Sequence, residues 1–534
     1  MTCTKISLGD LPELINKIMK YFQNDLSTLH SCILVNRLWC RVTIPLLWEN
    51  PFSIKILENY HFIDIYLNNL NDDDKVKLIE SGININLYSS NTLFNYPSFI
   101  KNINTLGISR SITMWAVTVR TKFNSSINLT QLIYKSLFKI FIDNEANLHT
   151  FEIEMFTDKD CENFNFIFEL ILQNSYFISN IKNFKLRTGR RIAKIGSFLS
   201  FLSSNCNSIS KIHFQFKENN GIEKFLSRII NSQNNLKKIL FQFNDFPLYH
   251  SLLSLKNSNC SNTLKTIIFY YIDFKRIFIL KEVFEQLNVL ESIHILYCYS
   301  LNSDFIQQII DITKPFKLRS LFLSEIFQIE LFQLLLQKSG NYLENIRFEP
   351  LICNGLKKQL LELIILYNVE INFFELWGFD NQNIFLVFNL IENIKQNLNY
   401  LCIDRQLNDD IELSSIVLLN LGQILPSKLE YLNLSLMINE NDFEIFLKNS
   451  QNTFIKKLLI KNNMKVENFK ILSYIENYIV KKKRVKYLAY KENFMKSDLI
   501  FLKDQVKNFK FYNVIVQNYD DLNINCYKYI KDMY

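Results

Sequence analysis

Glycine and proline are scarce in this chain of 534 residues, 10 and 8 in number, while Phe, Tyr, Ile, Asn and Lys abound. An AT-biased coding sequence produces that balance, so a single aromatic or asparagine carries little weight. No C-x-x-C pair occurs among the ten cysteines, which are scattered. With no basic-then-apolar leader at the start, they read as reduced and mostly buried, in a protein of the cytosol or nucleus. Uninterrupted apolar runs of the roughly 18 residues needed to cross a bilayer are missing, which excludes a membrane partner. Also missing are a phosphate-cradling Gly-rich loop, H-E-x-x-H and G-x-S-x-G, so no enzyme class, cofactor or catalytic residue is nominated. The histidines at 30, 61, 149, 213, 250 and 294 stand alone, without Cys or carboxylate at metal-ligand spacing. A strong charge of one sign is lacking too. The formal net charge is +8, mild for this length, which disfavours nucleic acid as a partner.

What is present describes a folded protein, 48% hydrophobic and 21% charged. Its length exceeds one compact core and predicts two or more domains or an elongated repeat. The first fifty residues read as three short helices. Asp10 and Glu13 form a D-x-x-E capping box with Pro12 in the first turn. Leu11, Leu14, Ile15, Ile18 and Phe22 then fall on one helical face. Asp25 restarts the pattern with Leu26, Leu29 and Ile33. A third segment runs from Val35 to about Val42 with Trp39, and Pro45 is expected to end it. A unit this small buries too little surface to stand alone and should lean on a partner or on the next domain.

Leu11-Pro12-Glu13-Leu14-Ile15, Val35 through Trp39, and Leu47-Trp48 together resemble an F-box. Cys40 follows Trp39 where that family often has a basic residue, and Arg41 comes next. The resemblance implies a helical hairpin docking on the Skp-type adaptor of a cullin–RING ubiquitin ligase. Leu11, Pro12, Leu14, Ile18, Val35, Trp39 and Trp48 would then be its adaptor-binding residues, some as contact and some as support for the hairpin. The competing reading is an ordinary helical cap, with both tryptophans as core aromatics; Cys32 and Cys40 read as small core fillers.

An apolar-x-x-apolar-x-apolar frame recurs over the remainder, opening at Ile181, Ile209, Leu236, Leu264, Leu290, Leu318, Leu343, Ile371, Leu398, Leu429, Ile455 and Val485. Successive openings are 28, 27, 28, 26, 28, 25, 28, 27, 31, 26 and 30 residues apart, with weaker copies at Ile103, Leu148 and Val506. The last two apolar positions of each frame are two residues apart, so they share one side of a strand. Helix-compatible stretches such as 222–230 and 327–337 lie between frames. Frame and period resemble the leucine-rich repeat, which implies an α/β solenoid of parallel strands with helices outside. The family's Asn or Cys at the ninth place is met by Cys298 and Asn463, but not by Leu351, Gln406 or Met437. An unrelated α/β repeat and a superhelix of helix pairs are the alternatives.

The predicted organisation is therefore an F-box-like unit at 1–50, a linker or solenoid cap at 51–145, and the solenoid at 146–534. Asn71-Asp72-Asp73-Asp74 reads as a loop or helix start, and Asn124-Ser125-Ser126 as a loop. The run Lys481-Lys482-Lys483-Arg484 reads as a solvated loop, against a nuclear-import or nucleic-acid patch. Side chains at the third, fifth and seventh places of each frame face away from the core. Among them Ile268, Tyr270, His294, Phe322, Arg347, Glu375, Trp377, Tyr400, Asp404 and Tyr431 are expected to bind a protein substrate, since aromatics and Arg dominate binding hot spots. Lys238 and Gln242 continue the same row, and composition bias or packing along a curved interior would place such residues there as well. The expected function is substrate recognition within a Skp–cullin–F-box ligase, without catalysis by this chain. A repeat scaffold with no ligase role and a nucleic-acid-binding repeat protein are the alternatives.

Overall fold

Strand formation follows the apolar frame. Its fourth and sixth residues bury on one side of an extended segment, and each such burial contributes about 1.5–3 kcal/mol. The structure, a computed structural model, describes residues 12–23, 25–53, 60–80, 92–119, 126–189, 194–216, 221–242, 248–257, 259–323, 328–349, 352–367, 369–404, 411–464, 471–493, 497–502 and 506–534. Backbone contacts divide the chain into two units, residues 1–264 and 265–534.

The first unit opens with α1 (Pro12–Tyr21), α2 (Leu26–Ile33) and α3 (Arg37–Leu47). The Asp25 carboxylate caps α2 by accepting from the Thr28 amide at 3.0 Å, and Asn36 caps α3 by accepting from Trp39 N at 2.9 Å. Asp10 and Leu11 lie outside the described residues. Pro45 does not end the third helix as expected: α3 runs through it to Leu47. A proline inside a helix removes one amide donor, and the Trp48 amide still closes the final turn on Ile44 O at 3.1 Å. Ile15, Met19, Leu29, Cys32 and Leu46 form a small core, with Ile18, Phe22, Leu38, Trp39, Val42 and Leu47 packed around it.

Trp48 turns instead toward the following residues, edge-on to Tyr66 at 5.2 Å and tilted on Tyr96 at 4.3 Å. Asn71 proves to be a helix start, its side chain accepting from Asp74 N at 2.8 Å ahead of helix 72–80. Parallel strands then follow: β1 (Asn102–Asn104), β2 (Thr150–Met155), β3 (Asn183–Thr188), β4 (Lys211–Phe216) and β5 (Lys238–Gln242), each beside the next. The weak copy at Ile103 is out of frame. Ile103 is the buried centre of β1, while Leu106 and Ile108 already belong to helix 105–119.

The second unit repeats the pattern in β6 (Thr266–Tyr270), β7 (Ser292–Leu296), β8 (Leu318–Leu323), β9 (Asn345–Phe348), β10 (Phe373–Trp377), β11 (Tyr400–Asp404), β12 (Lys428–Leu436), β13 (Phe454–Asn462) and β14 (Val485–Glu492). From β7 on, each pairs in parallel with its predecessor, and helices such as 329–339, 383–394 and 411–424 fill the intervals. The α/β class of alternating parallel strands and helices is therefore as the frames predict.

One register departs from the frames. Ile295, a sixth-place residue, pairs with Leu321, a fourth-place residue, after an irregularity between Ile293 and His294. A shift of two residues keeps every side chain on its own face. The copy at Val506 is not a strand: residues 507–512 form a 3₁₀ helix, and β15 (Ile515–Val516) follows, parallel to β14. Where a strand ends, Tyr271 and Tyr297 take the left-handed region (φ 54° each), as does Gly378 (φ 62°). In helix 354–366, Lys357 is buried and donates to the carbonyls of Trp377 and Gly378 at 2.8 and 2.7 Å, tying down that turn. In the turn after β13 the buried side chain that accepts the Ile438 amide, at 3.1 Å, is Asn462 and not the Asn463 that the family pattern singles out.

Candidate protein-docking surfaces

Two surfaces, one in each unit, carry the residues that the sequence singles out for contact with other proteins. In the N-terminal helical unit Leu14 and Val35 are 43% and 57% exposed, and Leu26 and Leu34 are exposed as well. A helical unit with so little core thus leaves several large aliphatic residues in water. Among the residues expected to touch an adaptor, Leu14 and Val35 are available. Ile18 and Trp39 instead pack against the small core, and Trp48 anchors the unit to Tyr66 and Tyr96. Leu11 lies outside the described residues, and of Pro12 only the backbone is described.

The second surface is the side of β6–β14 carrying the third, fifth and seventh frame residues. Strand register arranges them in ladder rows. One row runs through Ile268, His294, Ser320, Asn345, Phe373, Tyr400 and Tyr431; the next through Tyr270, Leu296, Phe322, Arg347, Glu375, Cys402 and Asn433. Trp377 and Asp404 form part of a third. All ten residues expected to bind substrate lie here. They do not pave an open surface, however: Ile268, His294, Phe322, Glu375, Asp404 and Tyr431 are buried.

What covers much of the row is the chain's own segment 519–534. It leaves β15 and returns across the strands as helix 519–522 and helix 526–533. Tyr519 and Leu522 pack on Tyr431, Leu459 and Ala489. The Tyr519 hydroxyl donates to Asn433 at 2.7 Å, and the Tyr431 hydroxyl to Asn523 at 3.0 Å. Tyr527 stacks on Tyr270 at 4.0 Å. Tyr529 lies on Phe373 at 5.1 Å and Tyr400 at 4.5 Å, and Tyr534 rests on His294 at 4.4 Å. Aromatic pairs of this kind contribute roughly 0.5–1.5 kcal/mol each beyond area burial. Sequence reasoning missed this role. Four tyrosines within 519–534 were the available signal, hidden by a composition rich in tyrosine throughout.

At the centre sits Arg347. Its guanidinium reaches Glu349 at 3.1 Å, Glu375 at 3.4 Å and Cys526 Sγ at 3.2 Å, between the rings of Trp377 at 4.9 Å and Tyr297 at 5.1 Å. Burial works against its charge, but Glu375 and its other anionic neighbours outweigh that and hold its pKa above the usual value. Burial pushes the Asp404 carboxyl up to about 6, opposed by a hydrogen bond from Ser435. The Cys526 and Cys402 thiols are likewise driven up by burial, which keeps them protonated and unreactive. Between strands and covering segment remains a cavity of about 590 Å³, lined by Arg347, Glu375, Trp377, Asp404, Tyr519 and Cys526 among others.

The basic run divides in two. Lys481, Lys482 and Lys483 are exposed, whereas Arg484 is buried and donates to the carbonyls of Leu447 at 3.2 Å and Thr453 at 3.3 Å. Among the described residues no helix is long and apolar enough to cross a membrane, and no group of three or more His, Cys, Asp or Glu is placed to hold a metal ion. No protein-family model and no curated protein matches the sequence.

Proposed function

We propose that this protein is a substrate-recognition subunit of a Skp–cullin–F-box ubiquitin ligase. Its N-terminal helices dock on the Skp-type adaptor, and the inner face of the strand–helix repeat engages a protein substrate. The observation that carries the proposal is the pairing, in one chain, of a three-helix unit exposing Leu14 and Val35 with a parallel strand–helix repeat. In this reading the chain makes and breaks no bonds. It raises the effective concentration of substrate near the ubiquitin-loaded enzyme, an effect that needs only simultaneous engagement of both surfaces. Such a subunit works in the cytosol or nucleus, where the adaptor resides.

Capture from lysate tests the proposal. Adaptor and cullin should accompany the full chain and be lost from Leu14→Asp/Val35→Asp, whose substitutions put charge on a solvent-facing patch and leave the core intact. Retention of neither by the wild-type chain would favour a repeat scaffold without a ligase role. The nucleic-acid reading rests on three exposed lysines, Arg484 being engaged with carbonyls inside the fold. It predicts steeply salt-dependent retention on a polyanion column.

A further inference from the structure

Segment 519–534 covers the inner face of the second unit with good stacking but incomplete polar pairing. Tyr527, Tyr529 and Tyr534 each find an aromatic seat, on Tyr270, on Phe373 and Tyr400, and on His294. Asn345 Nδ2 donates to the Tyr534 hydroxyl at 3.2 Å, and that hydroxyl donates to Glu344 at 2.5 Å. Yet Arg347 Nε, Asp404 Oδ1, Asn345 Oδ1 and the Tyr529 hydroxyl are buried there without a hydrogen-bond partner from the protein. The cavity of about 590 Å³ beside Arg347 and Asp404 is large enough for several side chains. A buried polar atom left unpaired is costly. A segment selected only to fill this face would not be expected to leave a pocket of this size, lined by charged side chains, beside it.

We infer that this face is a docking surface for a helix-forming protein segment bearing tyrosines, and that residues 519–534 are its resident stand-in, held by tethering and displaced by a segment that fills the cavity and pairs Arg347 and Asp404. The aromatic seats fix the partner's chemistry: tyrosine rings in contact with Tyr270, Phe373–Tyr400 and His294, ahead of them a small residue at the position of Cys526, and hydrogen-bonding side chains directed at Asp404. A short tether supplies an effective concentration in the millimolar range, so even a modest intramolecular fit keeps the face closed until a better ligand arrives. The inference rests on the inner-face half of the receptor reading and is independent of the adaptor half.

The test uses the full chain and a labelled synthetic peptide of residues 517–534, followed by fluorescence anisotropy. In the full-length Tyr527→Ala/Tyr529→Ala variant the tethered competitor is weakened. The peptide is expected to bind it at least about tenfold more tightly than wild type, consistent with removal of two stacked aromatic anchors. The same peptide with its own tyrosines changed to alanine should bind neither. Equal binding to both chains, or equal binding of both peptides, overturns the inference. Should the variant fail to fold, amide exchange on the unaltered full chain decides: amides of 526–533 exchanging no faster than those of β10–β13 would make the segment part of the core, whereas exchange about a hundredfold faster marks a detachable ligand. Adaptor capture by the same wild-type chain keeps the two ideas separate, since either can fail while the other stands.

Discussion

Arg347 shows how much a single residue can carry here. Its side chain is 13% exposed, faces Glu349 and Glu375, and is sandwiched by Trp377 and Tyr297. Removing one partner of a buried charge pair leaves the other uncompensated, so Arg347→Met should destabilise the second unit by about 3 kcal/mol. Urea denaturation followed by tryptophan fluorescence would read this, since Trp377 reports on the same site. Asp404 makes a different prediction. Its folded pKa of about 6 lies above the ordinary carboxylate value of 3.8, so the folded state holds the proton longer than the unfolded one. Its contribution to stability is complete below about pH 4, falls as pH rises to about 6 and is lost above that, a difference on the order of 3 kcal/mol. Asp404→Asn should therefore gain on wild type between pH 4 and 6 and hold a constant lead above. A stability difference that does not change with pH would refute the assignment. The same residue illustrates the limits of sequence reading. The frame put Asp404 on its observed face, but not in a cavity that Tyr519, more than a hundred residues on, also lines.

At the scale of elements, the strands were the most legible part. The alternation of buried and outward residues is local, so Phe374 and Leu376 or Leu401 and Ile403 announce their strands without knowledge of the neighbours. The two-residue slip between β7 and β8 was hidden because an even shift leaves the apolar pattern unchanged. Pro45 was misjudged because the preference of its preceding residue for extended backbone is outweighed by the packing of Leu46 and Leu47 against the small core. For the residues tied to the adaptor, the sequence did not say which would be exposed: Leu14 and Val35 are outside, whereas Ile18 and Trp39 pack against the small core. Helix packing yields a further prediction. A side chain on Gly422 would place its Cβ 2.8 Å from the Phe446 carbonyl oxygen, between helices 411–424 and 440–449. Backbone cannot step aside as a flexible side chain can, so Gly422→Ala should cost roughly 1–3 kcal/mol despite its higher helix propensity. A thermal-unfolding midpoint equal to or above wild type would show that the helices part freely.

For the molecule as a whole, the proposed function divides labour between two kinds of surface. A small helical unit with few core residues can bind common machinery through the aliphatic side chains it cannot bury. A repeat, by contrast, offers ladder rows whose side chains vary while the buried positions stay apolar, so recognition can be rewritten without touching the fold. The period of the sequence pointed to the repeat, while the spacing of Leu-Pro and the two tryptophans is what suggests the proposed adaptor contact. The period could not show that the ladder rows are covered from within, because that depends on where the last residues return. The most direct measurement is a calorimetric titration of the purified full chain with a purified Skp-type adaptor. The account predicts one-to-one binding with a Kd of about 1 μM or tighter, abolished in Leu14→Asp/Val35→Asp. An adaptor that does not bind the wild-type chain, or that binds the double variant equally well, would contradict it.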